Sequence, residues 1–171
     1  MQRQSRVIIL VRHSKAEQVG PTDAERELAP RGYDDATDAG TWLAGQGIVP
    51  DHALVSAATR TRQTWDALAG AAGWDVEATF DRGLYSAGPE TALDLMREAP
   101  DSARTLVVVG HNPTIAYLAQ LLDDGGGDPE AGNEMTLGYP PSGMAVFEYD
   151  GDWAELDQES AHLVAFHVGR G

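Results

Sequence analysis

Short runs of branched apolar residues alternate along this chain with longer stretches whose apolar side chains recur every three or four positions. "RVIILV" (6–11), "HALVSAA" (52–58) and "ARTLVVVG" (103–110) are of strand length and nearly continuous in apolar character. That is the pattern of strands covered on both faces. Between the first two, Tyr33, Ala36, Ala39 and Leu43 share one helical face, predicting a helix from about Arg31 to Ala44 that Gly45 and Gly47 end. Thr59 to Ala72 predicts a second helix with Trp65, Leu68, Ala69 and Ala72 inward. "GPETALDLMREA" starts another, with Pro89 suited to its first turn. "HNPTIAYLAQLLDD" reads as a helix with Asn112 as N-cap, Pro113 at the first helical position, and Ile115, Leu118, Ala119 and Leu122 buried.

Three segments read less regularly. "VEATFDRGLY" fits either a strand or a loop, and "DDGGGDPEAGNE" has linker composition, so an exposed, mobile loop is expected there. "GMAVFEYDGDWAEL" reads as a hairpin turning at Asp150-Gly151, and "HLVAFHV" as a final strand. Strands alternating with helices predict a three-layer α/β/α fold, its central sheet mostly parallel with helices on both faces. The length of 171 residues fits a single domain over 1–171.

Charge and composition narrow the function classes. A net charge of -15 argues against a nucleic-acid partner. With no cysteine, disulfides, thiolate metal sites and thiol nucleophiles are excluded. No apolar run approaches the length of a membrane span, and "MQRQSRVIIL" lacks the pattern of a signal peptide, so a cytoplasmic protein without membrane attachment is expected. In so acidic a chain the arginines near histidines stand out.

Ligands of parallel sheets gather at the carboxyl ends of the strands. Three of the predicted ends carry Arg12-His13, the segment Ser56–Gln63 with Arg60, and His111-Asn112. Phosphoryl transfer to a histidine suits this set. A neutral imidazole nitrogen attacks phosphorus, and guanidinium forks match the charged equatorial oxygens of the transition state. On that reading Arg12 and Arg60 bind phosphate and a histidine is the nucleophile. His111, if protonated, is a third donor, and Arg62 is a solvated surface residue. Each histidine alone also fits a structural role, and a histidine metal site lacks a third ligand of clear spacing, so no metal is expected.

"LVRHSKAE", "SAATRTRQT" and "VVVGHNPTI" resemble the three motifs of the histidine phosphatase superfamily, the phosphoglycerate-mutase-like fold, and most of all its SixA-type phosphohistidine phosphatases. "ERELAPRGYDDA", "LYSAGPETALDLM" and "YPPSGMAVFEYDGDW" are similar to further family segments in the same order. The resemblance implies that His13 is transiently phosphorylated, that Arg12, Arg60 and His111 are catalytic and bind the phosphoryl group, and that no cofactor is needed. Ser14 stands where the family's common motif has glycine; its hydroxyl and Asn112 are expected to donate to phosphate. For the general acid, Asp81 and Glu90 are candidates, with Glu17 and Asp23 weaker. The implied function is hydrolysis of a phosphorylated substrate, with phosphohistidine of a protein favoured. A small phosphorylated metabolite, or phosphate binding without catalysis, are the alternatives.

Overall fold

A computed structural model describes residues 5–171, so the first four residues of the N-terminal signal-peptide reading lie outside the described residues. The strands are β1 (Ser5–Arg12), β2 (His52–Ser56), β3 (Ala78–Asp81), β4 (Thr105–Gly110), β5 (Gly143–Asp150) and β6 (Ala161–Val168). The helices are α1 (Pro30–Gly45), α2 (Thr59–Ala72), α3 (Arg82–Tyr85), α4 (Pro89–Arg97), α5 (Thr114–Leu122) and α6 (Pro129–Leu137). The strands form one sheet in the order β3-β2-β4-β1-β5-β6. Pairing is parallel from β3 through β1, and β5 alone runs against the others.

Alternation along the central strands builds two cores. Ile8, Leu10, Leu106 and Val108 pack with Met96, Ile115, Leu118 and Leu122 on one face. Ile9, Val11, Val107 and Val109 pack with Leu43, Trp65 and Leu68 on the other. Both faces of β1 and β4 are therefore dry, which is why their sequences are apolar without interruption. This is the expected three-layer α/β/α arrangement.

Several local expectations change. Tyr33 is 41 % exposed. The buried face of α1 runs instead through Gly32, Ala36, Ala39, Gly40 and Leu43. Small residues there admit backbone: a Cβ on Gly40 would lie 2.1 Å from the Leu68 carbonyl oxygen of α2, and one on Gly32 would lie 2.2 Å from the carbonyl oxygen of Lys15. A Gly40→Ala substitution is therefore expected to destabilise the protein by about 2–3 kcal/mol in urea unfolding, through overpacking, although alanine is the better helix former by about 1 kcal/mol. A stability gain would show that the two helices separate at no cost.

Half of the expected mobile loop is α6, which Asp128 caps by accepting from Ala131 N at 2.9 Å, with Pro129 in its first turn. The expected hairpin turn at Asp150-Gly151 is replaced by a longer connection over residues 151–160, after which the returning strand is β6. "DWAEL" forms a 3-10 turn that buries Trp153, whose ring also receives the Arg6 guanidinium. The ambiguous "VEATFDRGLY" divides into β3 and α3.

Candidate active site

Sheet order decides what meets what. Because β4 lies between β1 and β2, the carboxyl ends of these three strands are neighbours, although Arg12, Ser56 and His111 are far apart in sequence. Strand β1 pairs with β4 up to Arg12 opposite Gly110, and His13 N then donates to Gly110 O at 3.0 Å. There the chain leaves the ladder, and consecutive residues can serve one pocket.

The ring of His13 is fixed by a local bond. Its Nδ1 lies 2.7 Å from the Ser14 carbonyl oxygen. A carbonyl only accepts, so Nδ1 carries the hydrogen, and in the neutral ring Nε2 keeps its lone pair. Burial lowers the His13 pKa to about 4, opposed by the Ser14 bond and reinforced by Arg60 and Arg12. The His111 ring sits 5.4 Å away between centroids, with Nε2 2.7 Å from Ser56 Oγ. Its pKa falls to about 3, through burial first and then the charges of His13 and Arg60. Both imidazoles are thus neutral at pH 7, so the protonation on which a charged donor role of His111 was conditional is not met in the free protein.

Arg60 occupies the first turn of α2 and is 6 % exposed. The rest of "TRTRQT" holds it there. Thr61 Oγ1 donates within the β2–α2 turn, 2.7 Å from Ser56 O and 2.8 Å from Ala58 O. Thr64 Oγ1 donates to Arg60 O at 2.7 Å and accepts from Ser14 N at 3.0 Å, which ties α2 to the residue after His13. Gln63 Oε1 accepts from Leu28 N at 2.7 Å. Arg62 points outward onto the Phe80 ring, 4.1 Å from its centroid, as expected of a surface residue. Arg12 donates to Tyr139 O at 2.9 Å.

Among the described residues, three buried side-chain polar atoms have no hydrogen-bond partner: Arg12 Nε, Arg60 Nε and His111 Nδ1. All three belong to this cluster. Buried donors without partners are costly, and three on one site suit the oxygens of a bound oxyanion. No group of three or more histidine, aspartate or glutamate side chains that could hold a metal is present among the described residues.

Two expected phosphate ligands are corrected. Ser14 is 0 % exposed, and its hydroxyl is bonded to that of Ser142, so it faces the protein and not the pocket. Its contribution is the carbonyl that orients His13. The Asn112 amide is engaged at both ends, donating to Tyr139 O at 3.0 Å and accepting from Ala116 N at 3.2 Å. The helix α5 begins one residue later than expected, at Thr114, with Pro113 in the N-cap position that Asn112 was expected to fill.

The acid candidates also separate. Asp81 caps α3 by accepting from Leu84 N at 3.2 Å. Glu90 is exposed in the first turn of α4, and Glu17 is exposed as well. Asp23, one of the two weaker candidates in the sequence, is the carboxylate that reaches the cluster. Arg60 donates to its carbonyl oxygen at 2.8 Å and to Oδ2 at 3.2 Å, Arg26 Nε donates to Oδ1 at 3.0 Å, and the Tyr85 hydroxyl donates to Oδ2. The Tyr85 bond, then Arg60 and Arg26, lower the Asp23 pKa to about 2. It is ionised at neutral pH and has no proton to give. Tyr85, edge-on to His111 at 5.4 Å, is a residue of the site that the sequence does not mark. Its position in α3 follows no periodicity that would mark it.

Comparison with known proteins agrees with this geometry. The family model of the histidine phosphatase superfamily (branch 1) matches residues 8–85. An uncharacterized protein of Mycobacterium tuberculosis is 39 % identical over 162 residues, covering 94 % of this chain and 100 % of that one. A protein of Nakamurella multipartitia, provisionally assigned as a phosphohistidine phosphatase SixA, superposes with a TM-score of 0.85 at 32 % identity, covering 96 % of each chain. A counterpart from Agrobacterium tumefaciens with the same provisional assignment gives 0.75 at 29 % identity, covering 95 % of this chain and 97 % of that one. With strand ends, arginines and paired histidines disposed in this way, the chain belongs to the histidine phosphatase superfamily, in its SixA-like group, and is a phosphatase.

Proposed function

We propose that the chain hydrolyses phosphohistidine of a protein substrate through a phosphorylated His13. The observation that carries the reading is the His13 Nδ1 bond to Ser14 O, which leaves Nε2 as the nucleophile beside three buried donors. The Nε2 lone pair attacks phosphorus while the bond from phosphorus to the leaving group breaks, and the leaving group takes the electron pair. Water then attacks the phosphorylated His13, the P–Nε2 bond breaks, and inorganic phosphate departs with the excess proton released to solvent. Arg12, Arg60 and His111 donate to the phosphoryl oxygens throughout. Ser56 donates its hydroxyl proton to His111 Nε2, so that a neutral imidazole presents N–H at Nδ1.

The substrate class follows from the leaving group. An alkoxide needs a proton in the transition state, a contribution of about 10²–10⁴ in rate. Asp81 caps α3, Glu90 and Glu17 are exposed and make no side-chain bond to the cluster, and Asp23 is ionised, so among the described residues no carboxylic acid is positioned to give one. The departing imidazole of phosphohistidine leaves as a neutral molecule when its other ring nitrogen is protonated, and needs no such acid. The names of the SixA-like relatives agree with this choice.

The deciding experiment is incubation with an aryl phosphate followed by alkaline quenching. Acid-labile phosphate on His13, absent from His13→Ala, is the expected result, and no labelled histidine would leave only a phosphate-binding module. Phosphoramidate is expected to turn over at least about 10²-fold faster than an alkyl monoester; equal rates would move the substrate to a small phosphorylated metabolite.

The lowered His13 pKa has a kinetic signature. Its neutral form is the reactive one, so protonation removes the nucleophile only near pH 4. The pH profile of kcat/KM, corrected for substrate ionisation, is expected to stay level from pH 7.5 to about pH 5 and to fall below that. An acid limb near the ordinary histidine value of about 6.5 would contradict the burial argument.

A further inference from the structure

Asp23 stands on an excursion of the chain that returns to the site from the nucleophile's own loop. Residues 17–27 are pinned at their base by an Ala16–Leu28 bridge and by Glu17 N donating to Glu27 O at 2.8 Å. At the far end is the 3-10 turn Asp23–Glu25. Gln63 holds the returning strand of this excursion at Leu28, and Asp23 joins its tip to Arg60 and Tyr85. The Asp23 side chain is 57 % exposed while that of Arg60 is 7 % exposed, so the carboxylate lies on the solvent side of the guanidinium it binds. Asp23 accepts from one terminal nitrogen of Arg60 with its backbone carbonyl and from the other with its carboxylate, and leaves Nε, which is buried and has no partner among the described residues. A phosphoryl group bound through Nε would have its leaving group on the side of solvent, within reach of the Asp23 charge.

We propose that Asp23 is a specificity-determining residue: a fixed negative charge at the mouth of the site that disfavours phosphate compounds bearing a carboxylate and favours a leaving group that carries positive charge. The inference rests on the phosphohistidine reading and extends it from the missing acid to the charge around the leaving group. A phosphohistidine ring protonated at its free nitrogen is cationic and complements this wall. A phosphorylated hydroxy acid brings a further negative charge to the same place and is repelled. Arg26 and Arg60 offset the carboxylate only in part, because its exposed side faces incoming substrate.

Two ligands that differ only in the relevant group test this. Glycerol 3-phosphate and 3-phosphoglycerate share a three-carbon phosphate ester, and the second adds a carboxylate. Each is measured as a competitor of aryl phosphate hydrolysis and by calorimetric titration, with the wild-type protein, Asp23→Asn and Asp23→Glu. In Asp23→Asn both ligands are expected to bind more tightly, and 3-phosphoglycerate to gain a further factor of about 5–10 over glycerol 3-phosphate. Asp23→Glu keeps the charge and is expected to retain the wild-type discrimination within about 2-fold, even where its longer side chain disturbs Arg60. An unchanged ratio between the ligands in Asp23→Asn, or the same ratio change in both variants, would overturn the proposal and reduce Asp23 to a positioning residue for Arg60. Calorimetry answers this whether or not the aryl phosphate is hydrolysed. Absence of hydrolysis by the wild type counts separately, against the functional reading itself.

Discussion

A His13→Ala variant is expected to hydrolyse an aryl phosphate at least about 10⁴-fold more slowly than the wild type, while still binding inorganic phosphate. The loss is large because, on the proposed mechanism, no other group of the site among the described residues can replace Nε2. His111 is the one other imidazole at the site, and its Nε2 is taken by Ser56. Binding survives because Arg12, Arg60 and His111 keep their anchors at Tyr139, Asp23 and Ser56. The same substitution is expected to improve stability in acid. A histidine held neutral to about pH 4 when folded, but titrating near 6.5 when unfolded, lets only the unfolded chain take up the proton between those values. Its contribution is neutral above pH 6.5 and is lost as pH falls towards 4, by on the order of 3 kcal/mol. Urea unfolding at pH 7 and pH 4.5 measures this, and His13→Ala should lose less stability between the two than the wild type does. Equal losses would mean that the folded protein protonates His13 readily, and the same result would undermine its role as a nucleophile at low pH.

The parts of this machinery that could be read from the sequence are those whose signal is local. A strand end followed by Arg12-His13, a helix start with Arg60 and a strand end with His111 each lie within a few residues of an apolar run, and β4 between β1 and β2 brings them together. What the sequence left unread depends on contacts between remote segments. Asp23 meets Arg60 and Tyr85 across separations of 37 and 62 residues, and no periodicity marks any of those positions. Ser14 and Asn112 were placed correctly along the chain and incorrectly in orientation. The direction of the Ser14 hydroxyl is set by Ser142, 128 residues away, and the Asn112 amide by Tyr139. Apolar pattern alone favours the large Tyr33 side chain inward, yet it is exposed. The close approach of α1 to α2 admits only Gly40 and its small neighbours. The helix α6 did carry a local signal, Asp128 before Pro129 and Glu130, which the neighbouring glycines obscured.

Arg60→Ala is expected to lower kcat/KM by about 10³-fold, more than the roughly 10²-fold expected for Arg12→Ala, although on the proposed mechanism both arginines offer a guanidinium to the same phosphoryl group. The difference comes from what each arginine leaves behind. Arg12 is released from one backbone carbonyl, that of Tyr139, whereas Arg60 also neutralises a carboxylate. Without Arg60, the Asp23 charge faces the site with Arg26 as its only other ion-pair partner among the described residues, and the incoming dianion meets repulsion as well as a missing donor. Two further variants separate these terms. Arg60→Ala combined with Asp23→Asn is expected to recover about 10-fold relative to Arg60→Ala alone, a coupling that a double-mutant cycle reads directly. Arg60→Lys is expected to recover little, because an ammonium restores the charge but cannot hold the Asp23 carbonyl, its carboxylate and a phosphoryl oxygen in one planar array. If the lysine variant worked within about 3-fold of the wild type, charge alone would account for Arg60 and the fork geometry would be irrelevant. If the double variant recovered nothing, Asp23 would act on this site only by positioning the arginine.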